Sequence, residues 1–272
     1  IFADPKESIR SIMDENVVSV SAFDDQEEAV RAMEKYDIPA LPVVDSAGVL
    51  IGIVTFDDVM DVSEEEATED FQKFGGMEAL DKPYNTISFL GMVKKRAGWL
   101  VILFVGEMFT ATALSYFEGA LEKAIILSMF LPLIMSSGGN SGSQAATLMV
   151  RAISLGEVHL KDWWWVMRRE FLSGLLLGVI LGVIGFIRIV AWSSFTNAYG
   201  PHYLPIALTV SLSLVGVVLW GSLSGSMLPF LLKKLNFDPA ASSAPFVATL
   251  VDVTGIIIYF SFAVWLLKGT LL

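Results

Sequence analysis

Asp252 and Glu107 are carboxylates placed where a charge is costly. Glu107 lies in the apolar run from Trp99 to Phe117, and Asp252 in the run from Pro245 to Leu267. A charge at the centre of a bilayer costs upwards of about 2.5–3.5 kcal/mol. Neither run has a basic residue in its middle to offset it. The residues one turn from Asp252 are small: Ala248, Thr249 and Gly255. A carboxylate beside a lane of small residues suits a water-filled path for a cation. The competing reading is an acid kept protonated or capped by the hydroxyl of Thr249 or Thr254. Glu107 is assigned a lesser role, facing protein or a polar pocket near Thr110 or Thr112.

Two further constellations could do chemistry. Asn140, Gln144, Thr147 and Arg151 recur at steps of four, three and four, which puts them on one helical face. Such a face either lines a pore or makes hydrogen bonds to other helices. Thr55 and Asp58 have the spacing of a capping box, and equally that of a site for a ribose hydroxyl.

These residues need elements to hold them. Five stretches can span a bilayer, at 97–117, 124–150, 171–193, 204–232 and 243–267, since a span takes about 20 apolar residues. Pro132 and the run Ser136–Ser143 predict an interruption of the second. Pro229 falls near the end of the fourth. Gly174, Gly178 and Gly182, at a spacing of four, predict a groove for close helix packing. Lys94, Lys95 and Arg96 precede the first span, Arg151, Lys161, Arg168 and Arg169 lie between the second and third, and Lys233 and Lys234 follow the fourth. The two other connections are poor in basic residues. The pattern predicts a cytoplasmic N-terminus and a C-terminus outside, with Trp163, Trp164 and Trp165 in the interfacial belt; the localisation expected is the plasma membrane.

Charge divides the chain. Residues 1–90 hold 21 Asp/Glu against 6 Lys/Arg, a balance of −15, while residues 91–272 balance at +4. The acidity therefore belongs to a soluble domain, and it argues for metal cations as partners and against nucleic acid. There is no cysteine, so thiolate metal sites are excluded. His159 and His202 are the only histidines and read as loop residues, which disfavours zinc or copper chemistry. No nucleophile–base pair or metal-ligand triad points to an enzyme.

The soluble part reads as a β-α-β-β-α unit. Its expected elements are a strand at Val17–Val20, a helix at Gln26–Tyr36 capped by Asp24 or Asp25, strands at Leu41–Val44 and Val49–Val54, and a short helix capped by Thr55 that ends near Val62. Ala29, Val30 and Met33 are expected inside. An acidic connecting helix is expected from Ser63 to Tyr84, with Pro83 breaking the chain before the first span. The boundaries are 1–62, 63–92 and 93–272. The fold class is an α-helical five-span membrane domain with an N-terminal cytosolic α+β unit on a long connecting helix.

The soluble unit resembles a CBS repeat, through Ile12-Met13, the run Asp37–Asp45 and the run Gly52–Val59. Repeats of this kind pair, and one is present here; with the start at Ile1, this leads to the expectation of a missing upstream part. The connector Glu66–Asp70, Pro132 with Gly138-Gly139-Asn140, Met227–Leu232 and Val247–Gly255 resemble the MgtE family of magnesium channels and transporters. That resemblance implies a homodimer in the lipid bilayer, with a pore on its two-fold axis lined by the second and fifth spans. It implies a connecting "plug" helix that closes the pore when cytosolic Mg²⁺ is high. Asp252 matches the pore acid and Ala248 a pore position one turn away, while Ala244 stands where some members have Asn. Asp37, Asp58, Asp61, Glu66, Glu69, Asp70 and Asp238 match acids of the Mg²⁺-sensing interface. Thr55 and Asp58 match nucleotide positions, where some relatives bind ATP. The function expected is Mg²⁺ uptake gated by cytosolic Mg²⁺. The alternatives are a coupled divalent-cation exchanger and a membrane-anchored nucleotide sensor without transport.

Overall fold

The computed structural model describes residues 6–13, 17–196 and 199–271. The chain divides into two compact units, Ile1–Glu69 and Asp70–Leu272.

The first unit opens with a single helical turn, α1 (Ile9–Ile12), followed by β1 (Val20–Ser21), α2 (Gln26–Tyr36), β2 (Ala40–Val44) and β3 (Leu50–Thr55). The sheet order is β1-β2-β3, with β1 parallel to β2 and β2 antiparallel to β3. Asp25 caps α2 by accepting a hydrogen bond from the Glu27 amide. The Asp45 carboxylate closes the β2–β3 turn by accepting from the amides of Ala47 and Val49, both at 2.9 Å. Met33, Leu41 and Val59 form the buried centre, with Val18, Val20, Ala29, Val30 and Val54 against it. Strand β1 is shorter than the expected Val17–Val20, because only Val20 and Ser21 register with β2. Leu50, Ile51 and Ile53 of β3 remain more than half exposed, so one face of the sheet is apolar and uncovered.

The helix after β3 is longer than its sequence suggests. One continuous helix, α3 (Phe56–Phe74), replaces the short helix ending near Val62 and the separate connector from Ser63. It stops at Gly75-Gly76, well before Tyr84. Gly76 has φ +75°, and a Cβ there would meet the Trp99 ring at 2.9 Å and Pro245 at 3.1 Å, so both backbone and packing require glycine. Gly75-Gly76 is the stop signal.

The second unit contains α4 (Phe89–Tyr116), the short α5 (Glu118–Lys123), α6 (Leu131–Ser154), α7 (Trp163–Phe195), α8 (Tyr203–Lys234) and α9 (Ala244–Leu267). Five of its helical segments are long and apolar enough to cross a membrane. Helix α8 is the hub, packing on α6, α7 and α9, and α4 joins through α9. Their contacts fix direction: Trp99 of α4 donates to Ser243 Oγ at the start of α9 (3.0 Å), and Phe117 stacks on Phe260 at 5.0 Å. The two helices therefore run parallel.

The second span, Ile125–Ser154, changes from a 3-10 segment to α-helix at Leu131, next to Pro132, but the expected break at Ser136–Ser143 does not occur. Pro132 lies in the first turn of α6, where no intrahelical amide is needed. The run Ser136–Ser143 is fully helical. Its glycines serve packing instead: a Cβ at Gly221 would overlap the carbonyl oxygen of Gly138, and one at Gly225 that of Gly142. Backbone meets backbone along this seam, and Ser141 and Ser222 share a 2.7 Å hydrogen bond across it. The α7 glycines behave as expected. A Cβ at Gly174 would lie 2.9 Å from Ser222, one at Gly178 2.8 Å from Val215 Cα, and one at Gly182 2.9 Å from the Ser211 carbonyl.

Candidate functional site

Ser243 caps the start of α9, its hydroxyl accepting from the Phe246 amide, with Pro245 in the first turn. From there Ala244, Ala248 and Asp252 follow at steps of four and share a face. All three are half-buried, whereas Val247, Val251 and Gly255 pack inward. The neighbour on one side is α6. Ser143 Oγ donates to the Ala244 carbonyl at 3.3 Å, and a Cβ at Gly139 would sit 3.5 Å from Ala248 Cβ. The neighbour on the other side is α4, where a Cβ at Gly106 would meet Thr249 Cγ2 at 2.9 Å.

The Asp252 carboxylate receives no hydrogen bond and no ion pair among the described residues. Thr254, one of its possible caps, is engaged elsewhere: its hydroxyl donates to the Leu250 carbonyl at 2.8 Å and accepts from Trp220 Nε1 at 2.7 Å. Thr249 turns its methyl to Gly106. Among the described residues neither threonine hydroxyl is bonded to Asp252. Glu107 is also placed differently from expectation. Thr112 donates to the Met108 carbonyl at 3.2 Å, and the buried Thr110 hydroxyl has no hydrogen-bond partner among the described residues, so neither holds Glu107. Glu107 is exposed on α4 and lies within electrostatic range of Asp252. The sequence concealed this pairing because it depends on two parallel helices in register.

The polar face of α6 borders the same lane. Asn140, Gln144, Thr147 and Arg151 are all exposed, while Gly138, Gly139, Gly142, Ala145 and Ala146 turn inward. Asn140 donates to Ser136 Oγ at 3.3 Å and Thr147 to the Ser143 carbonyl at 2.7 Å. These two bonds stay within α6.

The acidic set is divided between the units. In the first, Asp37 terminates α2 at φ 51°, Asp58 accepts from the Thr55 hydroxyl at 2.9 Å, Glu66 accepts from the Gln26 amide side chain, and Asp61 is exposed. Glu69 is half-buried. A ribose hydroxyl bound between Thr55 and Asp58 would have to displace their mutual bond. In the second unit, Asp70 accepts from Ser154 Oγ at 3.0 Å. Asp238 accepts from the Ala240 amide at 2.8 Å and pairs with Lys73 at 2.7 Å. Sequence reasoning missed Lys73, which ties the end of α3 to the α8–α9 connection. No three His, Cys, Asp or Glu side chains gather as a metal cage among the described residues.

Comparisons with known proteins identify relatives of the chain. Residues 131–262 match the MgtE family, described as a divalent cation transporter, and residues 9–65 match the CBS domain. The chain is 44% identical over 269 residues to the magnesium transporter MgtE of Thermus thermophilus, covering 99% of this chain and 58% of that protein. It is 34% identical over 263 residues to the magnesium transporter MgtE of Bacillus subtilis, covering 97% of this chain and 56% of that one. The homologue of the same name from Enterococcus faecalis is 33% identical over 263 residues. The chain thus spans less than two thirds of the length of the relatives it matches.

Proposed function

We propose, from the premise that this chain belongs to the MgtE family of divalent cation transporters, that it carries the conduction path for Mg²⁺. Hydrated Mg²⁺ moves along the α9 face of Ala248 and Asp252, beside the polar face of α6. The observation that carries this reading is the unpaired carboxylate of Asp252 on a half-exposed face of a membrane-length helix. A half-buried carboxylate within a membrane-length helix, with no partner among the described residues, calls for a cation or water. In a homodimer, two Asp252 side chains across the axis would grip a hydrated divalent ion, and each anion favours an ion between them.

The same reading places the N-terminus in the cytoplasm, the C-terminus outside and the protein in the plasma membrane. Cytosolic Mg²⁺ closes the path by binding acids drawn from Asp37, Asp58, Asp61, Glu66, Glu69, Asp70 and Asp238. At Asp238 the ion competes with, or joins, the Lys73 ammonium. An ion that binds the closed arrangement more tightly shifts the population toward it.

Mg²⁺ uptake into proteoliposomes under an imposed membrane potential, with no sodium or proton gradient, tests the function. Uptake that follows the potential is the expected result. Uptake only when a sodium or proton gradient is applied would replace the channel with an exchanger. Absence of uptake under both conditions would leave the nucleotide-sensor reading.

Glu107 gives a separate prediction. Glu107 has no hydrogen bond or ion pair among the described residues and lies mid-span, so Glu107→Gln removes a costly charge and does not lower stability. It stands within range of Asp252, so the half-saturating Mg²⁺ concentration rises about threefold, for ~0.7 kcal/mol of lost attraction. Paired thermal-melt and flux titrations check both halves. A large loss of stability with unchanged Mg²⁺ dependence would return Glu107 to a structural role.

A further inference from the structure

Helix α7 is longer than a bilayer core requires. Its 33 residues extend about 50 Å, against a hydrocarbon thickness of roughly 30 Å. Its first turns carry the exposed Trp163, Trp164 and Trp165. The Arg168 guanidinium lies 5.5 Å from the centre of the Trp164 ring, and that of Arg169 5.3 Å from Trp165. Aromatic rings with arginines beside them mark the level of the headgroups.

A groove of about 680 Å³ opens there, lined by Trp164, Met167, Arg168, Phe171 and Leu172 of α7 and by Leu223 of α8. Its chemistry changes with depth. Arg168 and Trp164 stand at the headgroup end. One turn further along α7 come Phe171 and Leu172, and α8 supplies Leu223. Helices α7 and α8 run antiparallel, since Gly174, Gly178 and Gly182 meet Ser222, Val215 and Ser211 in turn. Lys233 and Lys234 therefore end α8 at the level of Lys161, on the same side as Arg168 and Arg169. No lining residue is acidic. Asp162, at the start of α7, is engaged by the His159 amide at 3.0 Å. Among the described residues no carboxylate pairs with Arg168, whose recorded partner is the Trp164 ring.

We propose that this groove binds one anionic phospholipid from the surrounding bilayer. Its phosphate sits on Arg168 beside Trp164, and an acyl chain lies over Phe171, Leu172 and Leu223. A free phosphate would leave the apolar floor wet, and a neutral lipid would gain nothing from the net positive charge at this end. The inference rests on the five membrane-length helices and is independent of whether the chain transports Mg²⁺.

Native mass spectrometry of the purified protein, equilibrated with equal amounts of phosphatidylglycerol and phosphatidylcholine, tests it. The expected result is preferential retention of phosphatidylglycerol. Arg168→Gln lowers that preference about fivefold, the effect of one cation near an anionic headgroup, while Arg168→Lys largely keeps it. Leu223→Trp fills the floor and lowers retention of both lipids. Arg188→Gln is the control, because Arg188 lies over Trp192 at 4.3 Å, near the other end of α7. Unaltered retention in Arg168→Gln, no preference in the wild type, or an equal loss in Arg188→Gln would each overturn the proposal. Matching circular dichroism spectra for all variants exclude misfolding as the cause.

Discussion

Asp252→Asn lowers Mg²⁺ flux at least about 30-fold while leaving the protein inserted and folded. The substitution keeps size and removes charge, so it isolates the electrostatic part of the site. Leaving one partner of a desolvated charge contact unmatched costs about 2 kcal/mol or more, and each 1.4 kcal/mol is a factor of ten. The fold is spared because no hydrogen bond or ion pair ends on Asp252 among the described residues. Asp252→Ala has an effect at least as large, since it also removes the volume. The measurement is fluorescent-indicator flux in liposomes, normalised to protein recovered in the membrane. Wild-type flux in a correctly inserted Asp252→Asn protein contradicts the assignment.

The second large effect concerns the off-switch. Neutralising Glu66, Glu69 and Asp70 together, as Gln, Gln and Asn, lets flux persist at internal Mg²⁺ that silences the wild type. Coupling between two sites is typically about 1–3 kcal/mol, so the inhibitory concentration rises roughly 5- to 150-fold. All three acids lie on α3, and two have identified partners: Gln26 donates to Glu66 and Ser154 to Asp70. Mg²⁺ protection of α3 from proteolysis fades in the same variant. An unshifted inhibition curve makes these acids a solvated helix face and removes them from the sensor.

Much of this architecture was legible because it is encoded locally. The apolar stretches, the Asp25 cap, the Asp45 turn and the inward Ala29, Val30 and Met33 depend on neighbours a few residues away. Misreadings arose where tertiary contact overrides local composition. Ser136–Ser143 reads as a helix breaker, yet it is helical because Gly138 and Gly142 press against Gly221 and Gly225. The end of α3 differs from expectation because its acidic, helix-prone pattern continues past Gly75-Gly76, where Gly76 lies close against Trp99 and Pro245. For the site, Asp252 stood out from its cost in an apolar run. The proximity of Glu107 and the Lys73–Asp238 pair did not, since each joins residues more than a hundred positions apart.

The central claim is that the Ala244–Ala248–Asp252 face of α9 borders an aqueous cation path. The chain has no cysteine, so single cysteines can be placed without background. Ala248→Cys should react with a positively charged, membrane-impermeant thiol reagent, and millimolar-range Mg²⁺ should slow that reaction. Ile257→Cys, at a position 47% exposed on an apolar face, should remain unlabelled if that face meets lipid. Labelling of Ala248→Cys that Mg²⁺ protects, with Ile257→Cys silent, is the predicted result; an unreactive Ala248→Cys, or one whose labelling ignores Mg²⁺, contradicts the path.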